Sequence, residues 1–423
     1  MDKILIKSAT LAFPGHEKNG QTLDVLINRG IVEAIENKNI INDEDATVID
    51  ANGQYLAPGF FDLNVNLGEP GLETKETIES GCAAAAAGGF TGLAMQPNTE
   101  PALHSKGEIS MVVNLARNQL VSLYPIGAIS KGRTGNDLAE LYDMKLAGAV
   151  AFSNGNKSIQ QAELMSRALL YCKGFGALIM SFAEDASIAN HSKMNEGVMS
   201  TYLGMKGNPG LAEELMISRD LSLANYHNTV IHFSTISTKG SVSLIREAKQ
   251  KGIQVTCDVA AHHLVLTDDR VAGFDSNYKV SPPLRTAEDI QALKEGLLDG
   301  TIDAIVSQHT PHEVEYKRVE FEIAKNGIIG LQTTLPLLLE AQLSIDLIIE
   351  KISIRPREIL SLPTPSLTVG AAANLVLFNP KENWTFDINT NYSKSINSPF
   401  YGATLMGKVN LVVNNNKVYS TLN

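Results

Sequence analysis

The sequence predicts an α/β fold: a (β/α)8 TIM-like barrel carrying a small β-sandwich domain built from both termini. Three observations lead there. Short apolar runs bounded by turn residues recur about every thirty residues through the middle of the chain, each followed by a helix-like stretch, and their number reaches eight. The two ends, each about fifty residues long, alternate instead like a β-meander. No Gly-rich dinucleotide loop follows the first apolar run, which favours a closed barrel over the alternative, an open doubly wound sheet. The divisions fall at residues 1–55 for the first part of the sandwich, 56–362 for the barrel and 363–423 for the second part.

In chain order, the leading end contributes Ile4–Ile6, Leu23–Ile27 and Ile31–Ile35, separated by Gly- and Asn-containing turns. The barrel strands are expected at Phe60–Asn66, Thr91–Gln96, Leu123–Ile129, Ala149–Ser153, Leu178–Phe182, Thr229–Phe233, Ile253–Asp258 and Ile302–Ser307. Helices are expected at Thr74–Ala87, stopped by Gly88-Gly89, and at Asp137–Leu146, Ala162–Tyr171, Ser241–Lys251 and Glu288–Leu298. The alanine run Ala83–Ala87 reads as a tightly packed helix face. The trailing end adds Asn374–Phe378 and Val409–Val413, with a turn at Asn414–Asn416.

Composition narrows the function. Across 423 residues, 35 Lys plus Arg stand against 46 Asp plus Glu, a net charge of −11, which argues against a nucleic-acid binder. Hydrophobic residues at 44% and charged ones at 19% suit a large globular core. There is no apolar run long enough to span a bilayer and no secretory leader pattern. The cysteines Cys82, Cys172 and Cys257 are odd in number and unpaired by motif, so a soluble protein of the reducing cytoplasm is expected.

Chemistry in such a barrel belongs at the C-terminal ends of the strands. The first strand ends in Asp62-Leu63-Asn64-Val65-Asn66, where alternation points Asn64 and Asn66 to one side. The fourth ends in Ser153-Asn154, the fifth in Phe182-Ala183-Glu184-Asp185, the sixth in Ser234-Thr235 and the eighth in Gln308-His309.

Here the stretches PGFFDLNVNLGEPGLETKETIESG, MQPNTEP, AFSNGN, FAED, HFSTISTKGSV, AAHHLVLTDD, NYKVSPPLRTAEDI, DGTIDAIVSQHTPH and GIIGLQTTLPLL resemble dihydroorotase, of the amidohydrolase superfamily, in the family's own order. The flanks SLTVGAAANLVLF and SPFYGATLMGKV match as well, so the resemblance spans nearly the whole chain. It implies a zinc-activated water that opens or closes a cyclic amide. Carried over by position, the resemblance also implies systematic departures. Asn64 and Asn66 stand at the HxH metal pair, Asn154 at the bridging Asp, Phe182 and Thr235 at two metal-binding His positions, and Gln308 at the Asp that binds metal and shuttles the proton. Gly68 stands where an Arg grips the substrate carboxylate.

Zinc takes imidazole, thiolate or carboxylate, whereas Asn and Gln offer only neutral carbonyl oxygens and Phe182 offers none. Zinc lowers the pKa of bound water from about 15.7 to about 7, roughly 12 kcal/mol of hydroxide stabilisation. No other residue obviously replaces that, so no cofactor is expected. A remnant of the substrate pocket is implied at Asn98, Asn277 and His312.

Other candidates read as structural. The pair His262-His263 would face opposite ways on a strand, and His232 reads as a hydrogen-bonded core histidine. An improvised metal site of His309 and His312 with Asp258 or Glu184 is the weaker alternative. Glu184 and Asp185 are expected to bond backbone or neighbouring loops, and Lys131 and Arg133 to be surface charges.

Three readings follow. The first is a non-catalytic dihydroorotase-like protein of pyrimidine synthesis with a structural or regulatory role. Its implied partners are aspartate transcarbamoylase or an active dihydroorotase paralogue, and a homo-oligomer is expected. The second is an active dihydroorotase or related cyclic amidohydrolase, hydrolysing dihydroorotate to carbamoyl aspartate at an altered metal site. A third option is a metal-free binder of an orotate-like ligand through Asn98, Asn277 and His312.

Overall fold

A computed structural model describes residues 3–422. All eight expected barrel strands are present: Phe60–Val65, Phe90–Met95, Ser122–Ala128, Ala151–Ser153, Leu178–Ser181, Ile231–Phe233, Val255–Ala260 and Ala304–Val306. Each pairs in parallel with the next in sequence. The ring closes between last and first. His309 bridges Val65, Asn66 N–H donates to His309 O at 2.9 Å, and Ser307 N–H donates to the Asp62 carboxylate at 2.9 Å.

Two apolar clusters hold this ring. One gathers Leu63, Ala94, Ile126, Met180, Ala260 and Val306 from six different strands. The larger packs Leu93, Ile179, Phe233 and Val259 against Ile109, Leu169, Ile217 and Ile245 of the surrounding helices. Burying each such side chain contributes about 1.5–3 kcal/mol.

Both chain ends form one eight-stranded, mostly antiparallel sheet. Leu375–Thr385 pairs antiparallel with Tyr55–Pro58, the strand that leads straight into the barrel. Ile6, Val25 and Ile27 from the front pack with Leu375, Leu411 and Val413 from the back. The expected union of the termini in a β-sandwich-type domain is therefore present. Among the described residues no helix is long and apolar enough to cross a membrane. The cysteines Cys82, Cys172 and Cys257 are free, buried thiols.

Several local expectations differ. The first barrel helix begins at Ile78, not Thr74, because Thr77 and Ser80 form a capping box and the preceding residues turn through Leu72 N–H to Gly68 O. The helix Leu211–His227 has no counterpart among the expected ones. Its buried face includes Glu213 and Asp220, which break the apolar stripe that would have revealed it. His262 and His263 lie in a 3-10 turn, Ala261–Leu264, so they do not face opposite ways; their ring centroids are 4.5 Å apart.

Candidate functional site

The strand ends converge on a narrow slot at the barrel mouth. Asn64, Asn66, Asn98, Phe182 and Gln308 line it, with Gln96, Ser234, Ser281 and Thr310. Its volume is about 40 Å³, room for a few waters at most. The amide N–H groups that reach it are already committed. Asn64 Nδ2 donates to Thr235 Oγ1 at 3.1 Å, Asn66 Nδ2 to Thr310 Oγ1 at 2.9 Å, and Gln308 Nε2 to Ser281 O at 2.8 Å. Asn98 Nδ2 donates to Asn66 Oδ1.

Asn154 turns away from the slot. Its Oδ1 accepts from Ser130 N–H at 3.1 Å and its Nδ2 donates to Ser130 Oγ at 2.8 Å, leaving Gly155 and Asn156 to line the space.

Beneath the slot lies a buried polar chain. Thr235 N–H and Oγ1 donate to Asp258 Oδ1 at 2.7 and 3.1 Å. His232 Nε2 donates to Asp258 Oδ2 at 2.9 Å, and His232 Nδ1 accepts from Thr256 Oγ1 at 2.8 Å. His232 is thus the bonded core histidine expected of it. Thr235 and Gln308 both sit at positive φ, 57° and 51°, a strained conformation for side chains of their kind. Strain of this sort persists where surrounding bonds over-determine it, and Asp258 supplies them for Thr235.

The remaining sequence candidates scatter. Among the described residues no three His, Cys, Asp or Glu side chains gather to hold a metal ion. His309 Nε2 lies 3.3 Å from Glu76 Oε2 while its Nδ1 accepts from Gly330 N–H. Glu184 accepts from Asn208 at 2.9 Å, and Asp185 caps the helix Ala186–Ala189. Asn277 does not reach the slot; it lines a separate cavity of about 490 Å³ together with His312.

A wider cavity of about 390 Å³ adjoins the slot and shares Asn66, Asn98, Asn156, Thr310 and Asn326 with it. Lys75, Arg133, Lys157 and Lys325 line this space. Arg133 is half-buried rather than a plain surface charge, donating from Nε to Asn154 O at 3.0 Å. No motif joins these four positions, which come from four separate loops, so the sequence carried no signal for them.

Two buried lysines pin the segment beyond. Lys317 Nζ donates to Lys325 O and Gly327 O at 2.9 and 3.1 Å, and Lys279 Nζ donates to Glu322 O and Ala324 O at 2.9 and 2.8 Å. Burial, with the Lys279 charge adding to it, pushes the Lys317 ammonium down to about 7. The unfolded lysine titrates near 10.4, so between about pH 7 and about pH 10 the unfolded chain binds the extra proton and stability rises with pH. Denaturant unfolding at both pH values is expected to show wild type gaining on Lys317→Met across that window. A constant difference would contradict the assignment.

Residues 53–241 match the family described as dihydro-orotase-like. Over 98% of both chains, this protein is 44% identical to a dihydroorotase from Geotalea daltonii and 41% identical to one from Acetivibrio thermocellus. It is 42% identical to a dihydroorotase from Syntrophus aciditrophicus over 96% of each chain. In fold it is similar to the L-hydantoinase (dihydropyrimidinase) from Arthrobacter aurescens, with a TM-score of 0.86 and 24% identity, covering 99% of this chain and 96% of that one.

Proposed function

From the premise that this chain belongs to the dihydroorotase-like family, we propose that it is a non-catalytic member with a structural or regulatory role in pyrimidine synthesis. One observation carries this reading. The side chains at the family's metal positions are amides, a hydroxyl and a phenyl ring, and the amide N–H groups donate to Thr235, Thr310, Ser281 and Ser130. Zinc does not fit that set, because neutral amide oxygens are poor zinc ligands and two divalent ions would lack carboxylates to balance them. Aspartate transcarbamoylase and an active dihydroorotase paralogue are the partners this role implies, with self-association as a further arrangement. Comigration with either enzyme on a sizing column supports it; strictly separate species count against it.

A second reading has its own support. Relatives at 41–44% identity over nearly the whole chain carry the name dihydroorotase, and that likeness backs an active enzyme better than a silent one. It requires metal held by residues other than those of the resemblance. Metal analysis of the purified protein, with dihydroorotate turnover, separates the two. Zinc far below one per chain with no turnover is expected. Near-stoichiometric zinc, with turnover abolished by a chelator, overturns the first reading and establishes the second.

Restoring histidine at both first-strand positions, Asn64→His with Asn66→His, is expected to leave turnover undetectable. The substitutions at Asn154, Phe182, Thr235 and Gln308 remain, and the Asn64–Thr235 bond is lost. Appreciable turnover from that double variant would refute the argument from the donor set.

A further inference from the structure

We propose that a cavity of about 180 Å³ in the seam between the barrel and the terminal sheet binds a small, uncharged aromatic molecule. The cavity shares no lining residue with the slot or with the wider cavity beside it, and none of the positions that the resemblance assigns to metal or substrate lines it. Its failure and that of the functional reading are therefore separable.

The walls are the first ground. The helix Thr334–Glu340 supplies Leu335 and Pro336 from the barrel side. The strands Leu375–Thr385, Thr404–Asn414 and Lys417–Ser420 supply Trp384, Val409 and Tyr419 from the sheet side. Tyr392 completes the rim, 44% exposed and edge-on to Tyr419, with ring centroids 5.8 Å apart. The indole is already held in place: Trp384 Nε1 donates to Gly407 O at 2.9 Å, and Phe386 meets the ring edge-on at 5.8 Å. Rings fixed in advance offer large contact faces at little further entropic cost. An apolar cavity of about 150 Å³ is enough to hold benzene, so this one admits a single ring with a small substituent.

The polar groups of the lining are the second ground, because they are spent on the protein. Gln332 Nε2 donates to Thr390 O at 2.7 Å, and Gln332 Oε1 accepts from Tyr392 N–H at 2.9 Å. Thr390 Oγ1 donates to Thr385 O at 2.7 Å, and Thr421 Oγ1 to Asn410 Oδ1 at 3.0 Å. Lys408 is the single charged side chain in the lining, and its Nζ lies 2.7 Å from Glu382 Oε1. Burial, with Tyr392 beside it, pushes the Tyr419 phenol up, so that wall stays neutral. A charged ligand would lose its hydration here with no free counter-charge in return. An uncharged ring meets the aromatic faces, and Asn389 at the exposed rim can meet its polar substituent.

Trp384 is the chain's single tryptophan, so the protein reports on this cavity through its own fluorescence. The purified full-length chain is titrated with benzamide and, separately, with benzoate, benzylamine and cyclohexanecarboxamide. Benzamide is expected to change the Trp384 emission saturably, with a Kd below about 1 mM, and to raise the unfolding temperature. The two charged analogues and the saturated ring should each bind about tenfold or more weakly. Ala87→Leu, at a half-buried lining position, fills the cavity and should abolish both responses. Trp384→Phe removes the emission but keeps an aromatic wall, so benzamide should still raise its unfolding temperature. If Ala87→Leu does not fold, Tyr392→Leu at the exposed rim should weaken benzamide about tenfold. No saturable response to benzamide, equal affinity for any of its three analogues, or undiminished binding in the folded blocking variants overturns the proposal.

Discussion

Asp258→Ala is expected to destabilise the protein by about 3–5 kcal/mol, measured by urea unfolding near neutral pH. The carboxylate is fully buried and accepts three hydrogen bonds, from Thr235 N–H, Thr235 Oγ1 and His232 Nε2. Alanine removes all three acceptor contacts and leaves a backbone N–H and a ring N–H unpaired in the barrel, each costing about 1–3 kcal/mol. It also removes what holds Thr235 at φ 57°, and through Thr235 Oγ1 the bond that positions Asn64.

The conservative variant sharpens the test. Asp258→Asn keeps one carbonyl oxygen for Thr235 and offers an amide where the second oxygen met His232. The imidazole can then exchange tautomers, accepting at Nε2 and donating from Nδ1 to Thr256 Oγ1, so the loss should shrink to about 1–2 kcal/mol. Equal losses from both variants would mean that charge, rather than hydrogen-bond geometry, holds the His232–Asp258 pair.

The barrel was legible because parallel strands buried on both faces read as compact apolar runs, as at Phe60–Val65 and Val255–Ala260. The union of the two ends was legible from their shared alternation. What stayed hidden was set by tertiary contacts. In Leu211–His227 the buried Glu213 answers Ser237 N–H and Ser241 Oγ, and Asp220 answers Ser181 Oγ and Arg219; those partners lie outside any local window except Arg219. The turn at Ala261–Leu264 brings two imidazoles into contact, where strand alternation had set them apart. At the site, the convergence of Asn64 and Asn66 followed from alternation, and Asn154 departed because the Ser130 loop offered its amide a donor and an acceptor. The cationic cavity draws on positions from 75 to 325, and nothing short of the fold brings those together.

Reinstating the arginine that the resemblance implies, by Gly68→Arg, is expected to lower stability by about 3 kcal/mol or more, measured by urea unfolding. The obstacle arises at the first side-chain atom. An ideal Cβ at position 68 meets Leu72 O at 2.0 Å and Glu76 O at 2.7 Å, closer than real Cβ atoms come to any backbone oxygen. Neither oxygen is free to retreat. Gly68 O accepts Leu72 N–H at 2.7 Å to close that turn, and the Glu76 carboxylate is buried, accepting from Lys394 N–H at 3.1 Å and lying 3.3 Å from His309 Nε2. Moving the turn would therefore disturb the strand-closing residue His309 and the C-terminal segment together. Gly68→Ala carries the same Cβ without the guanidinium, so it should account for most of the loss. Wild-type stability in both variants would show that the turn opens freely, and the bare wall at position 68 would then have no steric cause.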